Sequence, residues 1–254
     1  LLEYDSNTKL QPSLAESYEV SADGLTYTFK LRQNVTFHSG DPFTAQDVID
    51  TWKIIMNPAF GSFGQLGWDR ITEMTASDPH TVVMKTKEVY APFVSYMASS
   101  GSFISPSKEI AKGVDSFKQQ FGQAPVGTGP FKFVEWKAKE QITLNANPNY
   151  WGGKPKLDQV LVKIVPDDNT LLVQLRTGEV QVAAGAAILS ATRVDEAMQI
   201  DKITVYQYPT LYWNHLDLKQ MSHLRQTKVR QALDFATPTA QIISQLLKGR
   251  AVQA

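Results

Sequence analysis

Residues 18–56, YEVSADGLTYTFKLRQNVTFHSGDPFTAQDVIDTWKIIM, change their hydrophobic period part-way along, and that change decides the fold. Tyr18 and Val20 lead into a Ser21-Ala22-Asp23-Gly24 turn. Beyond it Leu25, Tyr27, Phe29 and Leu31 fall on one face of a strand, with Thr26, Thr28, Lys30 and Arg32 on the other. Such alternation predicts a β-hairpin with one wet face. From Thr44 onward Val48, Ile49, Trp52, Ile55 and Met56 recur at helical spacing. This helix should stop before Pro58, because proline disfavours helix in the residue preceding it. Between hairpin and helix lies Thr36-Phe37-His38-Ser39-Gly40-Asp41-Pro42-Phe43, which carries side chains that catalytic and metal sites use. Each has a local backbone task instead. Ser39 to Pro42 reads as a turn, and Thr44 with Asp47 has the spacing of a capping box. Asp47 also sits in the first helical turn, where the helix dipole favours negative charge. His38 has no second ligand at metal-binding spacing on a regular element, so no metal role is expected of it.

The rest of the chain is mixed α and β without strict alternation. Strand-like text occurs at Thr81 to Lys85, at 131–145 and at 157–165, the last two joined by Asn147-Pro148-Asn149-Tyr150-Trp151-Gly152-Gly153. Helical patterns cover Ala91 to Met97, Pro106 to Phe121, Asp168 to Thr177, Val229 to Ala236 and Thr239 to Leu247. Shorter strands are expected at Val180 to Ala183, Ile203 to Tyr208 and Tyr212 to Leu216. No internal repeat or low-complexity tract is present.

Composition narrows the function. The 254 residues are 43% hydrophobic and 20% charged, in the range of ordinary globular proteins. Lys plus Arg equals Asp plus Glu at 25 each, so net charge gives no reason to expect a nucleic acid partner. Cysteine is absent, which removes disulfides, thiolate metal sites and cysteine nucleophiles. No apolar run approaches the roughly 18–20 residues of a membrane span, and no signal segment opens the chain. The start at Leu1 and the end just after a helical pattern both read as cut ends.

Candidate chemistry is sparse. His215, Asp217 and His223 admit a divalent-metal reading, although their strand-to-loop setting favours solvated surface histidines. Neither a G-x-S-x-G elbow nor an H-E-x-x-H helix occurs. Gly127-Thr128-Gly129-Pro130 resembles a phosphate loop, but a strand follows it and offers no helix N-terminus to an anion. It reads either as a tight turn or as a close backbone approach to a cleft. Tyr206, Tyr208, Tyr212 and Trp213, near Asn214, suit a core strand or the wall of a ligand cleft. Asn34-Val35-Thr36 matches a glycosylation sequon inside strand-like text.

Several stretches in fixed order carry a resemblance. They are Pro12-Ser13-Leu14-Ala15-Glu16-Ser17-Tyr18-Glu19-Val20, Asp23 to Arg32, Val35 to Val48, Gly127 to Phe131, Asn147 to Pro155, Gly178-Glu179-Val180 and Lys228-Val229-Arg230-Gln231-Ala232-Leu233. Together they resemble the extracellular solute-binding proteins of peptide and nickel ABC importers. One departure is Thr237-Pro238-Thr239-Ala240, where that family commonly has Asp-Arg-Glu. Thr237 as N-cap and Pro238 at the first helical position would preserve the helix start. Family members are also longer at both ends.

The resemblance implies a mixed α/β, periplasmic-binding-protein-like (class C, type II) lobe with a small accessory subdomain. On that pattern residues 1–104 form the subdomain, 105–206 part of the first lobe and 207–254 the start of the second. It implies reversible capture of a small solute, foremost a peptide, for delivery to ABC permease subunits in the membrane. Other ligands in the same fold are a nickel chelate or an oligosaccharide, and a further role is that of an extracellular sensor or chaperone. No enzymatic activity, cofactor or metal is expected. Location would be periplasmic or at the cell surface, with a lipid anchor an open alternative. The ligand contacts implied are Gly127, Thr128 and Gly129, then Tyr212, Trp213 and Asn214, and at the subdomain's exit Ser102 and Phe103. Because much of the second lobe's contribution is missing, the chain alone is expected to bind its ligand weakly or not at all.

Overall fold

The computed structural model describes residues 1–61, 67–184, 189–207 and 222–252. The chain divides into two compact units, residues 1–163 and 164–254. Packing sets that division within this chain. The boundaries at 104 and 206 concern the lobes of a whole protein and are taken up below.

In the first unit a short ribbon, β1 (Leu2–Tyr4) with β2 (Leu10–Pro12), precedes a four-stranded antiparallel sheet. Its strands are β3 (Ala15–Val20), β4 (Thr26–Leu31), β5 (Ile71–Asp78) and β6 (Thr81–Thr86), in the order β3-β4-β6-β5. The β3–β4 hairpin forms as its alternation requires. Phe29 pairs with Tyr18 on one side and Val82 on the other, and Tyr27 with Val20 and Met84. Because side chains alternate across a strand, this register puts Tyr27, Phe29, Leu31, Val82 and Met84 in the core. The turn is fixed by Ser21, whose hydroxyl accepts from Thr26 N–H at 2.9 Å, and by Gly24 at φ 71°. Strand β5 was not legible in the sequence: it is an edge strand, mostly exposed, and shows little apolar alternation.

Helix α1 (Ala45–Met56) packs on β5 and β6 and buries Val48, Ile49, Trp52 and Ile55. Trp52 is 0% exposed and stacks on Trp68 at 5.3 Å between ring centroids. The expected capping box is present. One Asp47 carboxylate oxygen accepts from the Thr44 N–H at 2.8 Å and from the Thr44 hydroxyl at 2.9 Å. Asp47 is only 6% exposed, and its other oxygen accepts from Ser107 N–H at 2.7 Å. One turn on, the Thr51 hydroxyl accepts from Ser105 N–H at 3.0 Å. The helix start therefore also pins the chain as it leaves the sheet region.

Helix α2 (Phe93–Tyr96) lies inside its expected span. The helix expected over 106–121 is instead broken: α3 (Ser107–Ile110) and α4 (Val114–Ser116) are separated at Gly113, whose φ of 97° no right-handed helix permits, and a π-turn Phe117–Phe121 follows. A second antiparallel sheet, order β7-β8-β9, is built from β7 (Phe131–Lys137), β8 (Gln141–Ala146) and β9 (Gln159–Lys163). Pairs such as Phe131 with Ala146 and Leu144 with Val160 set its register.

The second unit contains α5 (Asp168–Thr177), where Asp167 accepts from Thr170 N–H at 2.8 Å as N-cap and Gly178, φ 77°, closes the C-terminus. Helix α6 (Ala191–Ala197) and helix α7 (Thr227–Ala236) follow, then a short α8 (Thr239–Gln241) running into a π-turn, Ile242–Leu246. The strand expected at Val180–Ala183 does not form. Val180 N–H is taken by the Gln174 carbonyl at 3.1 Å, so the segment closes α5 instead of entering a ladder. Residues 203–207 are likewise irregular, and Tyr208 and the strand expected at Tyr212 to Leu216 lie outside the described residues. Thr237 does not cap the next helix: its hydroxyl donates back to the Leu233 carbonyl at 2.8 Å, and α8 starts after Pro238.

A clamped turn as the candidate ligand-binding site

The turn at Gly127 to Pro130 feeds directly into β7 and is held from two directions. On one side stands the 36–42 loop. Phe37 N–H donates to Asp41 O and Gly40 N–H to Phe37 O, both at 2.8 Å, and the buried Phe37 ring meets Phe43 edge-on. This rigid loop carries His38 to the turn. The His38 N–H donates to Gly127 O at 2.8 Å, and Gly127 N–H donates to His38 Nδ1 at 3.2 Å. His38 Nε2 lies 3.0 Å from Gly129 O. Since Nδ1 faces a donor and Nε2 an acceptor, the ring is neutral with its proton on Nε2. Burial pushes the His38 pKa below its ordinary value, the bond to Gly129 partly opposes that shift, and the Lys132 charge adds to it.

On the other side stands Asn147, 3% exposed at the end of β8. Its side-chain amide donates to Gly129 O at 3.1 Å, its N–H to Pro130 O at 2.8 Å, and its own side-chain oxygen accepts from Asn149 N–H at 3.2 Å. Trp151, a few residues on, packs against the first unit's core with the Arg32 guanidinium 4.6 Å above its ring centroid.

What this clamp leaves over is a short backbone edge. Among the described residues, the N–H groups of Thr128 and Gly129 have no hydrogen-bond partner. A Cβ added at Gly129 would meet nothing within 4 Å, and one at Gly127 would make ordinary contacts with the His38 ring and the Gly129 nitrogen. Neither glycine has a positive φ. Packing and backbone conformation among the described residues therefore do not require glycine at either position. Chemically the arrangement can donate hydrogen bonds from a fixed backbone to an acceptor such as a carbonyl or carboxylate.

The other expected contacts are placed differently. The Ser102 hydroxyl is buried, 2.7 Å from Ser99 O and 3.1 Å from Met97 O, so its proton has partners within the chain. Phe103 is 78% exposed. Tyr212, Trp213 and Asn214 lie outside the described residues, as do His215 and Asp217. Sequence reasoning did not foresee His38 and Asn147 as the residues that hold the turn. The His38 to Gly129 contact spans 91 positions, and no local spacing encodes it.

The pattern of the bacterial extracellular solute-binding proteins, family 5 (middle region), matches residues 9–254, and the chain belongs to that family. It is a family of binding proteins. The chain is 31% identical over its whole length to the glutathione-binding protein GsiB of Pectobacterium atrosepticum, of which it covers 48%. Among solved structures it resembles NikZ from Campylobacter jejuni in complex with Ni(L-His), with a TM-score of 0.88, 26% identity and coverage of 100% of this chain and 50% of that one. It also resembles the oligopeptide-binding protein AppA from Bacillus subtilis in complex with a nonapeptide, with a TM-score of 0.83, 28% identity and coverage of 98% and 49%. The chain thus spans about half the length of the curated relatives it matches. The mixed α/β fold is the one these binding proteins share.

Proposed function

We propose that the full-length protein is the substrate-binding component of an ABC importer, capturing a peptide or similar small solute outside the cytoplasmic membrane and delivering it to the permease subunits. The observation that carries this reading is the clamped turn, which presents the free N–H groups of Thr128 and Gly129 in a chain of solute-binding family. A peptide main chain supplies the carbonyl acceptors such an edge takes, and backbone recognition of this kind tolerates many side chains. In this reading residues 1–104 are the small accessory subdomain, 105–206 belong to the first lobe and 207–254 begin the second. Gly127, Thr128 and Gly129 contact the ligand from the first lobe, Tyr212, Trp213 and Asn214 from the start of the second, and Ser102 and Phe103 stand at the subdomain's exit. The protein works in the periplasm or at the cell surface, free or lipid-anchored, without a cofactor and without catalysis.

A nickel chelate is the second reading, favoured by the likeness to NikZ bound to Ni(L-His). Native mass spectrometry of the full-length protein, followed by denaturation, separates the two. Release of small peptide masses is the expected result. A metal-chelate mass would replace the peptide reading with the nickel one, and release of a single sugar would overturn both.

A further inference from the structure

The His38 ring makes hydrogen bonds of opposite polarity to the two ends of a single turn. Gly127 N–H needs Nδ1 as an acceptor, and Gly129 O needs Nε2–H as a donor. Only the neutral ring with its proton on Nε2 can do both. We infer that His38 is a positioning residue that holds the 127–129 turn by both ring nitrogens only while it is neutral, so that acidification loosens the candidate binding edge. The part of this inference that concerns a ligand rests on the proposed function; the part that concerns the turn does not.

Protonation places an N–H at Nδ1 directly opposite the Gly127 N–H, turning one hydrogen bond into a donor–donor clash. The bonds from His38 N–H to Gly127 O and from Nε2–H to Gly129 O survive, as do those made by Asn147. Acid therefore frees the Gly127 N–H, leaving that end of the turn held by one bond where it had two, while the Gly129 end stays anchored. The charged groups around the ring do not rescue the imidazolium. Lys132, at the start of β7, opposes it electrostatically. In the ring's own loop, Asp41 is paired with Lys108 and with the Ser39 hydroxyl. The direction of the burial effect agrees: the clamped ring resists protonation more than a solvated one.

The sign of the pH dependence follows. In the open turn His38 has its ordinary affinity for a proton, and in the closed turn a lower one. Opening is therefore constant above the ordinary value of 6.5, grows as pH falls from there toward the lowered value, and levels off below it. It grows by about tenfold for each pH unit that separates the two values.

The test is nitrogen NMR of the uniformly labelled 254-residue chain, following the His38 ring and the Gly127 amide between about pH 7.5 and about pH 4.5, the span across which an imidazole changes charge. Expected are the Nε2–H tautomer at neutral pH, a His38 midpoint below 6.5, and Gly127 amide exchange that slows less on acidification than its base-catalysed intrinsic rate does, so that its protection falls. His38→Asn keeps an acceptor near the Nδ1 position but does not titrate, and its Gly127 exchange should show only the intrinsic dependence. An Nδ1–H tautomer, an unshifted midpoint, or the same acid response in H38N would overturn the inference, and the tautomer is read on the unsubstituted chain even if the variant folds poorly. Calorimetry with trialanine on the full-length protein is the separate arm. Affinity that weakens with acid in the parent and not in H38N extends the latch to binding. Absence of trialanine binding alongside the expected Gly127 response counts against the peptide reading and leaves the latch standing.

Discussion

The four-stranded sheet with α1 and the described residues of the second unit have very different interiors. In the first, Tyr27, Phe29, Val48, Trp52, Trp68, Val82, Met84, Phe93 and Met97 form a single buried cluster. In the second, only Leu171, Leu172 and Ala197 are buried hydrophobics among the described residues, while Phe235 is 88% exposed and Leu233, Leu246 and Met198 are exposed as well. Secondary structure is equally regular in α1 and α7, so local propensity is not what separates them. The difference lies in whether an amphipathic face has a partner among the described residues, since most helical stability in proteins comes from packing. The candidate site belongs to the well-packed unit, and its rigidity is borrowed from that core through the 36–42 loop and Trp151.

Substitutions can break this comparison. The largest effect is expected from Trp52→Ala, which empties a fully buried position stacked on Trp68 and should lower stability by about 3–5 kcal/mol in denaturant unfolding. The matching change Phe235→Ala, on the open side, should stay within about 0.5 kcal/mol, and equal losses at the two positions would erase the contrast. Asp47→Ala should cost about 2–3 kcal/mol, because it strips buried acceptors from both Thr44 and Ser107. Faster amide exchange at Ser107 would accompany it if that carboxylate is what pins the chain there.

A smaller effect is expected from pH. The His38 pKa is lowered on folding, so its contribution to stability is complete above 6.5 and is lost as pH falls toward the lowered folded value. Urea midpoints measured through that window should decline less in His38→Asn than in the parent. Gly129→Ala should have the smallest effect on stability, within about 0.5 kcal/mol, since its Cβ meets open space and its φ is ordinary. In the full-length protein the same methyl should weaken ligand binding, because it stands on the edge a ligand would approach.

Much of the packed region was legible in the sequence because its signals are local. The alternation from Tyr18 to Leu31 and the Thr44–Asp47 spacing each state their structure within a few residues. Where the reading failed, a nonlocal or backbone term intervened. Gly113 broke a pattern whose apolar spacing looked continuous, and Val180 was captured by the end of α5 before any strand could take it. The candidate turn was recognisable by its glycines, but its holders were not. His38 looked like one more polar residue in a turn, and only the fold brings its ring to Gly127 and Gly129.

The most direct measurement is amide NMR of the full-length protein with and without a bound peptide, reading Thr128 and Gly129. The account predicts that these two N–H groups shift and become protected from exchange when the peptide binds, while Gly127, already bonded to His38, changes little. A peptide that binds and leaves the Thr128 and Gly129 amides unmoved would contradict it.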